Sequence, residues 1–140
     1  MIDASATDTA ARTAWGEARG DGLPGMQAVL NVIGNRAASP GWWGRSIASV
    51  CLCPWQFSCW NEDDPNASKC DDVTQTDPQF RVACALAAQL VAGRLADITG
   101  GADSYFAHDS MKPYWASPRF FIKTIGRQDF YRLGLNGDGR

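Results

Sequence analysis

Apolar residues recur at helical spacing in three stretches of the chain, each bounded by residues that start or stop a helix. Ala11, Ala14, Trp15 and Ala18 predict a first helix from about Thr7 or Asp8 to Ala18, with Gly20 and Gly22 stopping it. Pro24 opens a second, because a first-turn position needs no backbone N–H. Its stripe is Met26, Val29, Leu30, Ile33 and Ala37, and Ser39-Pro40-Gly41 ends it. A short helix is expected around Ser46 to Val50. A third long one spans Pro78 to Gly93, with Phe80, Cys84, Ala87, Ala88 and Val91 on its buried side. Cys53 to Trp60 reads as irregular and aromatic, and the acidic, turn-rich Asn61 to Asp77 as a surface loop. After Thr99-Gly100-Gly101 the pattern changes: Tyr105-Phe106-Ala107-His108 and Arg119 to Ile125 carry the β-branched and aromatic residues of strands. Helices first and a small two-stranded sheet near the C-terminus make an α+β domain, predominantly α-helical.

Length and charge narrow the partners. At 140 residues, without repeats or linkers, the chain is expected to be one domain over residues 1–140 and a monomer. A formal charge of -2 and a pI near 5.2 give no basic footprint, which argues against nucleic acid. No apolar run approaches the roughly 18–20 residues of a membrane span. The segment from Met1 to Asp8 has neither a basic region nor an apolar one, so no signal peptide is expected and synthesis is placed in the cytoplasm. Four cysteines, Cys51, Cys53, Cys59 and Cys70, fall within twenty residues. One or two disulfides, free thiols and a metal site are all open readings, although the spacing lacks the paired C-x2-C knuckles of structural zinc. Cys84 reads as core.

The chemistry begins with scarcity. Of 15 acidic residues only Glu17 and Glu62 are glutamate, and Glu17 lies in the dense segment Ala14-Trp15-Gly16-Glu17-Ala18-Arg19-Gly20-Asp21-Gly22. Beside a tryptophan, at the negative end of a helix, its carboxyl is expected to titrate high and to serve as a general acid. The alternative is a solvated glutamate paired with Arg19 or Arg12. Of the six tryptophans, Trp15, Trp55 and Trp115 are the candidates for stacking on sugar rings, against the alternative of core filling. The single histidine, His108, forms no metal-ligand spacing, nothing resembles a nucleophile elbow, and Gly20, Gly22 and Gly25 follow no strand. The expectation is therefore a carboxylate enzyme with no metal and no cofactor.

With these residues in view, the chain resembles the cell-wall hydrolase family of spore-cortex-lytic enzymes (SleB/CwlJ type), which includes many phage endolysins. Four blocks carry the resemblance. Ala14 to Gly22 matches an E-A-R-G-E-like signature, with Asp21 where the family often has Glu. Gly25 to Arg36 matches G-x-x-A-V-x-x-V-x-x-N-R, and Gln56-Phe57-Ser58 matches Q-F-S. Thr99 to His108, Trp115 and Ile125 to Tyr131 match a C-terminal G-A-x-x-F, W and I-G-x-x-x-F-Y pattern. The Cys51-to-Cys70 segment is not part of that pattern.

The resemblance implies a lysozyme-like fold and cleavage of the β-1,4 bond between N-acetylmuramic acid and N-acetylglucosamine in bacterial peptidoglycan. It implies Glu17 as the essential acid and places Asn35, Arg36 and Gln56 along the sugar groove; Trp15, Phe57, Ser58, Tyr105, His108 and Trp115 are the further substrate-binding candidates, with a structural, hydrogen-bonded histidine as the alternative for His108. Two routes stay open. A hydrolase needs a second carboxylate, for which Asp21, Glu62, Asp63, Asp64 and Asp103 are candidates. A lytic transglycosylase uses Glu17 twice, and that route is preferred. A non-catalytic wall-binding or virion module is the remaining alternative. The expected setting is an endolysin made in the host cytoplasm and acting on the wall from the periplasm.

Overall fold

The structure, a computed structural model, describes residues 4–54 and 56–140. Its elements are α1 (Ala4–Ala18), α2 (Gly22–Ala38), α3 (Ile47–Leu52), α4 (Ala67–Asp72), α5 (Pro78–Val91), β1 (Ser104–Ala107), β2 (Phe121–Ile125) and β3 (Gln128–Tyr131). The predominantly helical α+β architecture expected from the sequence is present.

α1 and α2 are almost continuous. A single 3-10 turn, Arg19–Asp21, joins them, and Gly22, the first residue of α2 and two ahead of Pro24, takes a positive φ of 70°. α5 starts at Pro78 with Asp77 as its cap, the carboxylate accepting from the Phe80 N–H at 3.0 Å. The apolar stripes of α1, α2 and α5 meet in one core containing Ala14, Met26, Leu30, Ile33, Phe80 and Ala87. The stripe of α5 differs from the expected one. Ala83 and Leu86 are buried with Phe80 and Ala87, whereas Ala88 is exposed and Cys84 only half-buried, accepting from the Gln75 amide at 3.0 Å.

Two further expectations are corrected. The segment Asn61 to Asp77 is not all loop: it contains α4, which seals Cys70 and Val73 against the core. The sheet has three strands, ordered β1-β3-β2 and antiparallel throughout. β3 is the central strand, entered from β2 through a two-residue connection with Gly126 at φ 59°. A second cluster, Ala28, Val32, Ala102 and Phe130, fastens the sheet to α2. Pairing Tyr105 with Phe130 on this anchored sheet fixes where Tyr105 meets the end of α1.

Candidate active site

Glu17 occupies the last turn of α1 and faces β1. The Tyr105 hydroxyl donates to its Oε1 at 3.2 Å, and the Tyr105 ring packs on Phe130 at a centroid distance of 5.4 Å. Burial raises the Glu17 carboxyl from its ordinary value to about 7; the Tyr105 hydrogen bond opposes this, and the charge of Asp64 adds to it. At neutral pH a large fraction of the group is therefore protonated. Burial and the Glu17 charge in turn hold the Tyr105 phenol well above its usual range, so it stays a donor.

A frame of polar contacts holds this wall. Arg19 lies over the Trp15 ring at 4.0 Å and donates to Asn66 Oδ1 at 2.8 Å. Asn66 Nδ2 donates to the Gly16 carbonyl at 2.8 Å, so the loop before α4 is fastened to the residue preceding Glu17. Asp64 lies in that loop and accepts from the Asn66 N–H at 2.7 Å. Of the five candidate second acids, Asp64 is the one that acts on Glu17. Asp21 is turned away into an ion pair with Arg127 (2.9 Å). Asp103 is buried, accepting from the N–H groups of Leu133 and Gly134 at 2.9 Å each and from the Ser104 hydroxyl at 3.1 Å. Glu62 and Asp63 are exposed, lining a shallow concavity with Leu52, Pro54 and Trp60.

The expected substrate-binding residues divide into three groups. Tyr105 stands at Glu17. Arg36 and Gln56 are joined at 3.1 Å, and Arg36 also donates to the Asp103 carbonyl at 2.7 Å while its guanidinium lies over Trp43 and Phe57. Gln56 and Trp115 line one groove of about 540 Å³, together with Trp42, Tyr114 and Phe120. Trp115 is half-buried, edge-on to Phe106 and Tyr131.

Several others have structural positions. Trp15 is 6% exposed, its indole N–H donating to Asp77 at 3.2 Å and its ring covered by Arg19, so no face is left for a sugar. Phe57 is buried beneath Arg36. Asn35 donates to Asp97 and to the Ala102 carbonyl, shaping the turn before β1. Ser58 is exposed, and His108 is exposed at the end of β1 beside Asp129 (3.7 Å). Trp55 lies outside the described residues.

The cysteines are all free thiols, and among the described residues no group of three or more His, Cys, Asp or Glu is arranged to hold a metal. Cys59 and Cys70 were singled out only as part of a cluster, yet both lie directly behind the Glu17 wall, against Gly16. Nothing in their spacing indicated that position, and nothing in the sequence marked Asn66.

Comparison with known proteins places this arrangement. The profile of the family described as Cell Wall Hydrolase matches residues 20–131, beginning just after Glu17. Two solved structures superpose over nearly the whole domain. The catalytic domain of the germination-specific lytic transglycosylase SleB from Bacillus anthracis is 26% identical, with a TM-score of 0.69 over 92% of this chain and 95% of that one. The catalytic domain of the Bacillus cereus SleB protein is 25% identical, with a TM-score of 0.74 over 94% and 92%. No curated protein matches the chain. The fold is thus the lysozyme-like fold of the SleB catalytic domains.

Proposed function

We propose, from the premise that this chain belongs to the cell wall hydrolase family, that it cleaves the MurNAc-β-1,4-GlcNAc bond of peptidoglycan as a lytic transglycosylase with Glu17 as acid and base. Membership makes it a peptidoglycan glycosidase of the SleB type; the bond, the route and the residues are our reading. The observation that carries it is the Glu17 carboxyl buried at the end of α1 against the Tyr105 hydroxyl (3.2 Å), its one side-chain donor among the described residues, with burial raising it to about 7. Protonated Glu17 donates to the glycosidic oxygen as the bond from C1 to that oxygen breaks. The resulting carboxylate takes the proton from the muramic C6 hydroxyl, whose oxygen closes on C1 to give a 1,6-anhydro end. Proton and electron pairs balance without water, and Glu17 ends as it began.

In this reading Tyr105 orients Glu17 and steadies its carboxylate between the two proton transfers. Arg36, fixed between Asp103 and Phe57, presents Gln56 to the groove that Trp115 lines, where aromatic surface suits the apolar faces of a glycan strand. In this reading the catalytic domain acts as a monomer. Its role is that of an endolysin reaching the wall from the host cytoplasm, which expression inside a bacterium with and without a membrane-permeabilising partner tests.

A hydrolytic reading is favoured by one observation, the charge of Asp64 acting on Glu17. Mass spectrometry of muropeptides released from purified sacculi separates the routes. Anhydro ends, lighter by one water than reducing ends, are expected from the wild type, and no products from Glu17→Gln. Reducing ends would transfer the second role to Asp64, and an active Glu17→Gln would overturn the assignment of Glu17.

A further inference from the structure

We infer that Cys59 and Cys70 are a disulfide-forming pair that closes the base of the loop behind Glu17 when the protein meets a thiol-oxidising environment. The two residues come from different elements, the 3-10 turn Ser58–Trp60 and α4, and converge on Gly16. A Cβ at position 16 would stand 3.0 Å from Cys59 Cβ, 3.2 Å from Cys59 Sγ, and in closer contact still with Cys70 Sγ. Both sulfurs therefore fill the space that the missing side chain of Gly16 leaves open. The pair is sealed, with Cys59 1% and Cys70 0% exposed, and the two thiols interact directly.

The other cysteines are placed differently. Cys53 Sγ faces the Trp42 carbonyl at 3.7 Å, and Cys84 is held by Gln75. Cys51 is buried on α3, and the atoms nearest to Gly16 belong to Cys59 and Cys70, not to it. Cys59 and Cys70 are thus the two cysteines that meet over Gly16, and either can make the first attack.

The oxidant is a small or protein disulfide, such as oxidised glutathione or a dithiol-oxidising oxidoreductase of the compartment that holds the wall. One thiolate of the pair attacks one sulfur of that disulfide and expels a thiol. The thiolate of the other cysteine then attacks its partner's sulfur in the mixed disulfide and expels the second. Two cysteine thiols are oxidised, one disulfide is reduced to two thiols, and the two protons leave with them. Because both sulfurs are buried after docking, exchange takes place on the folding chain or on a locally opened loop.

The consequence follows from what the loop carries. Between Cys59 and Cys70 lie Asp64, which acts on Glu17, and Asn66, which holds the Gly16 carbonyl. Closing a loop of that length restricts the unfolded chain and fixes the base of the segment that carries both residues.

The test is oxidative refolding of the full chain in a glutathione redox buffer, followed by maleimide counting in denaturant and peptide mapping, both under non-reducing conditions. Two of the five thiols are expected to become unreactive, joined in one cross-linked peptide pair containing Cys59 and Cys70. The oxidised protein should melt on the order of 5–10 °C above the reduced one. That difference should persist in Cys84→Ala and vanish in Cys59→Ala and Cys70→Ala; where those variants do not fold, the wild-type map decides alone. Five reactive thiols after refolding, a cross-link to Cys51 or Cys53, or coincident melting of the two forms would each overturn the inference.

Discussion

Glu17 and Asp103 are both carboxylates drawn into the interior, one at the end of α1 and the other beside the start of β1, and their surroundings are opposite. Asp103 accepts from two backbone N–H groups and a hydroxyl, and its backbone carbonyl takes the Arg36 guanidinium, so the sheet's exit at Leu133 and Gly134 is tied to α2. Glu17 is buried with one phenolic donor among the described residues and a second negative charge near it. Asp97 extends the comparison on the surface: burial pushes it up, but donors from Thr99, Asn35 and the Gly101 N–H outweigh that and leave it below its usual range. Burial with donors makes an anchor, whereas burial without them makes an acid. The first kind of group holds the fold together, and the second is destabilised in its charged form so that it can give up a proton near neutral pH.

Replacing each carboxylate should therefore break different properties. Glu17→Gln keeps the shape and loses the proton: release of muropeptides is expected to fall by about 10²–10⁴-fold, the usual worth of general acid–base catalysis, while circular dichroism and melting stay those of the wild type or better. Asp103→Ala should do the reverse. Two backbone N–H groups, the buried one of Gly134 and the partly buried one of Leu133, lose their acceptor, at about 1–3 kcal/mol each, so a drop in melting temperature on the order of 10 °C is expected. The folded fraction, assayed at low temperature, should keep activity within a few-fold of wild type. Equal loss of activity in a fully folded Asp103→Ala would mean that the anchor reaches the chemistry.

The pH dependence of stability sharpens the contrast. Between the ordinary carboxyl value of 4.5 and the raised value of about 7, the native state holds a proton on Glu17 that the unfolded chain has lost. Stability from this group is thus fully present below pH 4.5 and is lost as pH rises through about 7. The loss should amount to about 1–3 kcal/mol in wild type, and it should be absent in Glu17→Gln. Urea denaturation of both proteins across that range measures it; parallel curves would mean that Glu17 is better solvated than its position indicates.

How much of this was legible beforehand depends on whether the information was local. The stripes of α1, α2 and α5 are local and long, and they placed those helices to within a few residues. Glu17 stood out by rarity and by its place at a helix end. The supposed role of Trp15 failed for a geometric reason. Residues two apart on a helix point to different sides, so Trp15 turns toward Asp77 and α5 while Glu17 turns toward β1. β3 was missed because Gln128-Asp129-Phe130-Tyr131 is short and half polar, and its place depends on partners on both sides. α4 was missed because only Cys70 within it is buried, so no stripe is visible in an acidic segment. Asn35 and Arg36 were identified as important, yet what they bind, Asp97 and the carbonyls of Ala102 and Asp103, lies more than sixty residues away.

The smallest effects are the most diagnostic, because they carry opposite signs. The Tyr105 hydrogen bond lowers the Glu17 pKa and the Asp64 charge raises it. If protonated Glu17 is the acid, the alkaline limb of the pH–activity profile follows its titration, since activity is lost as the proton leaves. Tyr105→Phe should then move that limb to higher pH, and Asp64→Asn should move it to lower pH, each by well under the full displacement that burial produces. Asp64→Asn keeps an oxygen for the Asn66 N–H, so its loop stays in place and the shift reports charge alone. A transglycosylase should retain most of its maximal rate in Asp64→Asn. Collapse of activity at every pH in that variant, with folding intact, would make Asp64 a participant in the chemistry and turn the reaction into hydrolysis by two carboxylates.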